Sequence, residues 1–109
     1  MKKINIELFG TTYAVSFNMA VQIAYEELSG KAFDITELDT QKSTMQLCYA
    51  ALQEANHDLP FSFDEMVAKV TVTETAALKE AVKSAMNSWF EIPAVIDKPE
   101  SEGADEKNA

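Results

Sequence analysis

The chain has few of the residues from which catalytic, metal and redox sites are built: one cysteine, one histidine and three glycines in 109 residues. Cys48 has no partner for an internal disulfide, and with His57 as the only imidazole no Cys/His zinc set can be assembled, so neither metal nor cofactor is expected. A single thiol fits a reducing, cytoplasmic setting. There is no Gly-rich phosphate loop and no Ser-His-Asp arrangement. Glu26-Glu27 and Asp64-Glu65 are acidic neighbours, but adjacent helical residues point about 100 degrees apart, so neither pair presents two carboxylates to one substrate. Both pairs read as solvated, and enzyme activity is not expected.

Positive charge is also scarce. Nine Lys plus Arg stand against 18 Asp plus Glu, a formal charge of −9 and a pI near 4.4, which repels phosphate backbones and anionic lipid surfaces. Nucleic acid and membrane are therefore not expected partners. No apolar run approaches the roughly 18 residues of a membrane span, and Met1 to Glu7 alternates polar and apolar residues where a secretory leader would run apolar.

What is present is a set of well-marked elements on a chain that is 47% apolar, enough for one modest core. Ile4, Ile6 and Leu8 alternate with polar residues, and after a break at Gly10-Thr11 so do Tyr13, Val15 and Phe17, the pattern of a β-hairpin with one buried face. A two-stranded sheet is marginal alone, so that face must lie on helices. Asn18 is a good N-cap for a helix over residues 19 to 29 that Gly30 ends. Ala20, Val21, Ala24 and Leu28 mark its core stripe, while Met19 and Ile23, four apart, fall on another side. Either the helix is packed on two sides, or Met19 and Ile23 face a partner.

Phe33, Ile35 and Leu38 pin a connector with a short helical turn near Thr36, and Met45, Cys48, Leu52 and Ala55 mark a second helix over residues 41 to 56. Cys48 lies in that stripe and reads as a core thiol. Ser62 and Glu65 form a capping box for a third helix through about Val70, with Phe61 and Phe63 stapling the loop to the core. A fourth helix starts near Thr73-Glu74 and aligns Leu78, Val82, Ala85 and Trp89, with Met86 and Phe90 widening the stripe. Trp89 is assigned to the core, whereas Tyr25 and Phe90 sit at stripe edges and join Met19 and Ile23 as candidate partner-binding residues. The expected fold is α+β: one domain over residues 1–92, with an N-terminal hairpin on about four helices. Residues 93–109 carry two prolines and five acids and read as a flexible acidic tail, disordered from residue 97.

The run Gly10-Thr11-Thr12-Tyr13-Ala14-Val15-Ser16-Phe17-Asn18, a helix ending Glu26-Glu27-Leu28-Ser29-Gly30, a middle helix over Met45 to Ala55, the helix start Pro60 to Glu65 and a final amphipathic helix from Leu78 to Phe90 together resemble the small tail assembly chaperones of long-tailed bacteriophages and prophages. The likeness is one of layout over residues 4 to 90. It implies a chaperone in the bacterial host cytoplasm that binds the hydrophobic tape measure protein and keeps it soluble until tail tube protein polymerises around it. It also implies a longer product made by ribosomal frameshifting, and the acidic tail would suit either a solubilising function or the junction to such an extension. The residues leave other classes open: a structural tail or head-tail joining component, an acidic interaction adaptor, or a DNA-mimicking inhibitor, the last disfavoured because the acids are scattered. A spare strand edge and spare apolar helix faces also allow a homo-oligomer.

Overall fold

The computed structural model describes residues 3–90; the tail expected over residues 93–109 lies outside them. Two antiparallel strands, β1 (Lys3–Leu8) and β2 (Thr11–Ser16), are followed by helix α1 (Met19–Ser29), a 3-10 turn (Ile35–Glu37), α2 (Gln41–Ala55), α3 (Phe63–Lys69) and α4 (Val72–Phe90). The fold is α+β, a hairpin packed on four helices.

Ile4 pairs with Val15, Ile6 with Tyr13 and Leu8 with Thr11, so the alternating residues share one face, and Ile6, Leu8 and Val15 are buried. The turn lies one residue earlier than Gly10-Thr11. It is the two-residue loop Phe9-Gly10, with φ of 53° and 78°, the left-handed pair that matches the twist of a hairpin. A bulky residue at positive φ is strained, and Phe9 is held there from both ends. Its N–H donates to Glu74 Oε2 at 2.9 Å, and its ring meets Phe61 edge-on at 5.3 Å.

Glu74 belongs to a capping pair at the start of α4. Its Oε1 accepts from Thr71 N–H at 3.0 Å, and Thr71 Oγ1 accepts from Glu74 N–H at 3.1 Å, which satisfies two of the helix's orphan amides. One carboxylate thus caps a helix and fastens the hairpin turn across 65 positions of sequence. The hydrogen bonds from Phe9 and Thr71 hold its carboxyl below the ordinary carboxylate value. Ser62 and Glu65 make the expected box at α3, with bonds of 2.8 and 3.2 Å.

The centre of the molecule is α2, which touches β2, α1, α3 and α4. It is buried on most of its circumference, from Ser43 and Met45 through Leu47, Cys48, Ala50, Ala51 and Leu52. The alanines let neighbouring helices approach closely, and the buried residues join the hairpin and all four helices in one core. Cys48 is part of it. Burial pushes its thiol up to about 12, leaving it protonated and unreactive at neutral pH.

Candidate partner-binding surface

Eight of the aromatic rings form two groups around the ends of the hairpin, whose six-residue strands span roughly 20 Å. At the turn end, Phe61 is buried between Phe9, Tyr13 and Tyr49, with centroid separations of 5.3, 5.5 and 6.3 Å. At the other end, Phe17 directly follows β2 and is buried beneath Phe33, Trp89 and Phe90 at 5.7, 5.5 and 5.9 Å.

The second group is open to solvent. Trp89 and Phe90 meet edge-on at 5.0 Å in the last turn of α4, yet they remain 38% and 47% exposed. Phe17 links them to the start of α1, where Met19 and Ile23 are 55% and 49% exposed. Helix α1 packs along α2, and Met19 and Ile23, one turn apart, form an exposed apolar face. Among the described residues, exposed large apolar side chains elsewhere, at Ile35, Val67 and Val72, are scattered and need no common explanation.

Two assignments made from helical position are corrected. Tyr25 is 3% exposed and lies in the core, because Phe33 folds back over it edge-on at 5.8 Å. The fold-back is fixed by Glu26, whose Oε2 accepts from Phe33 N–H at 2.8 Å, so this carboxylate, read as merely solvated, organises the connector. Trp89, assigned to the core, covers Phe17 with one edge and leaves the rest of the indole outside. The exposed candidates are therefore Met19 and Ile23 on α1 and Trp89 and Phe90 at the end of α4, with Phe17 beneath the aromatic pair. The adjacency of Trp89 to Phe90 was visible in the sequence; that both lie over Phe17 required the fold.

A second concavity, of about 220 Å³, lies between α2 and α4. Leu47, Cys48, Val82 and Met86 line it, with Lys79 and Lys83 at its rim. Lys79 Nζ donates to Gln41 Oε1 at 2.9 Å, which ties the rim across the two helices. The protonated Cys48 supplies no nucleophile there. Among the described residues no group of three or more His, Cys, Asp or Glu side chains is placed to hold a metal ion. No helix among them is long and apolar enough to cross a membrane.

No family model, curated protein or solved structure matches the chain. The chain is thus an α+β hairpin-on-helices fold whose described surface exposes an apolar pair on α1 and an aromatic pair at the end of α4.

Proposed function

We propose that the chain is a protein-binding factor that takes up apolar segments of a partner on Met19, Ile23, Trp89 and Phe90. From its resemblance in layout to tail assembly chaperones, we infer that the partner is the tape measure protein of a phage or prophage, kept soluble in the host cytoplasm while tail tube protein assembles around it. The observation that carries the reading is the open aromatic pair over Phe17, together with the exposed Met19 and Ile23 of α1.

Magnitudes suit a holding role. Full burial of one large apolar side chain gains about 1.5–3 kcal/mol, so four half-exposed ones leave about 4 kcal/mol to be gained, before the cost of association. Such a contact is weak and releasable, and a long partner would hold several copies through repeated sites. The charge of −9 keeps the loaded complex dispersed.

The test is co-expression with the longest coiled-coil-like protein encoded nearby. The reading expects that protein to move from the pellet into a soluble complex that co-purifies with this chain, and to be released by Met19→Ser with Ile23→Ser in a chain that stays folded. If the long protein remains insoluble beside well-folded chain, the chaperone reading fails. Recovery of this chain from purified particles would instead indicate a structural tail or joining component.

A further inference from the structure

The two edges of the hairpin are treated differently. In a hairpin closed by a two-residue turn, Leu8 and Thr11 form a hydrogen-bonded pair, and alternation then turns the N–H and C=O groups of Lys3, Asn5 and Glu7 outward from β1, and those of Thr12, Ala14 and Ser16 outward from β2. On β2 the edge is closed by Asn56, just past the end of α2. Its Oδ1 accepts from Ala14 N–H at 3.1 Å, and its Nδ2 donates to Ala14 C=O at 2.7 Å. These are the two bonds a neighbouring strand would make. A third bond, from Nδ2 to Leu52 C=O at 2.8 Å, anchors the amide to α2.

On β1 there is no counterpart. Among the described residues no hydrogen bond reaches the outward N–H or C=O of Asn5 or Glu7. A groove of about 360 Å³ runs along this edge, between Asn5, Ile6 and Glu7 of the hairpin and Thr73 and Ala77 of α4. The short side chains at Thr73 and Ala77 leave room for another backbone beside β1.

We propose that this edge pairs with β1 of a second copy of the chain, antiparallel and centred on Asn5, joining two hairpins into one four-stranded sheet. The charge pattern selects this occupant and register. With Asn5 opposite Asn5, each Lys3 faces Glu7 of the other copy, giving two opposite-charge pairs, and each Ile4 faces Ile6. All three outward-turned residues are engaged at once. A slip of two residues toward the turn sets Asn5 against Glu7 and leaves Lys3 without a charge partner, and a slip the other way sets Lys3 against Asn5. Lys3 and Glu7 are exposed, so their pairing is available without rearrangement.

Sedimentation velocity on the full chain over a wide concentration range tests this, with circular dichroism showing that each variant is folded. The expected results are a concentration-dependent dimer for the natural chain and a dimer dissociation constant raised by about tenfold in Lys3→Glu and in Glu7→Lys, since each sets like charges opposite one another twice. An equimolar mixture of the two variants then forms a heterodimer, and the double reversal Lys3→Glu with Glu7→Lys pairs with itself again. Lys3→Gln and Glu7→Gln give the same direction with a smaller effect. A chain that stays monomeric at every concentration overturns the proposal, as does a dimer indifferent to the single reversals or a variant mixture that fails to associate. A monomer whose Asn5 and Glu7 amides exchange slowly also overturns it, because the chain's own residues then cover the edge.

Discussion

At the turn end of the hairpin, Phe61 is enclosed by three rings, and its carbonyl accepts the Tyr49 hydroxyl at 2.9 Å. At the other end, Phe17 is covered by rings that are themselves half outside. The rings are alike in kind, and the difference lies in what surrounds them. The closed group is boxed by the start of α3, the middle of α2 and the turn that Glu74 fastens, each fixed by side-chain bonds to backbone. The open group is covered by Phe33 of the connector and by the last two residues of α4, and Trp89 and Phe90 stay partly exposed. Closed rings supply stability, whereas rings left outside withhold part of their hydrophobic gain from the fold. In this account that gain is kept for a partner.

The largest effect that sharpens the comparison is expected at the closed end. Phe61→Ala removes the ring at the centre of that group and should cost about 3–5 kcal/mol in denaturant unfolding, enough to leave a domain of this size largely unfolded. Tyr49→Phe keeps the ring and leaves the Phe61 carbonyl without the hydroxyl's bond, with an expected cost of about 1 kcal/mol by the same measurement. At the open end, Met19→Ser combined with Ile23→Ser should change stability by less than about 1 kcal/mol while abolishing partner solubilisation. If that double variant unfolds, Met19 and Ile23 belong to the core and the comparison fails.

A smaller change should come from Gln22. Among the described residues its Nε2 is the buried side-chain polar atom without a hydrogen-bond partner, and Gln22→Met should stabilise the chain by about 0.5–1 kcal/mol in thermal unfolding.

Acid reports on the fastening of the turn. The Glu74 carboxyl lies below its ordinary value because it accepts from Phe9 and Thr71, so its contribution is complete above the ordinary carboxylate range. It is lost as pH falls through the lowered value. The natural chain should therefore lose stability on acidification more steeply than Glu74→Gln, as read from melting temperatures across that range. Parallel acid profiles for the two would show that the carboxylate does not fasten the turn.

The hairpin, the capped α1 and the Ser62-Glu65 box were legible in the sequence because each rests on local chemistry, alternation or a cap within three residues. The pair Thr71 and Glu74 carries the same spacing and could have set the start of α4, which falls at Val72, just before Thr73-Glu74. Its second partner, the Phe9 amide, was out of reach, since nothing local links positions 9 and 74. Asn56 reads as a helix end in any sequence, and only the fold shows that its amide also closes the edge of β2. Tyr25 was misplaced for the same kind of reason. A helical wheel puts it at a stripe edge, but the connector carrying Phe33 returns over it, held by Glu26. The candidate surface was half legible: Met19, Ile23 and Phe90 follow from periodicity, whereas the exposure of Trp89 depends on where α4 crosses Phe17.

The chain has a single tryptophan, and it stands in the open group, so its fluorescence reports on the proposed surface alone. The most direct measurement is the Trp89 emission during titration with a tryptophan-free apolar helical segment of the tape measure protein. The account predicts a saturable blue shift as the indole leaves water, absent in the folded Met19→Ser, Ile23→Ser variant. A complex that forms with the emission unchanged would contradict it, because the partner would then be held somewhere else.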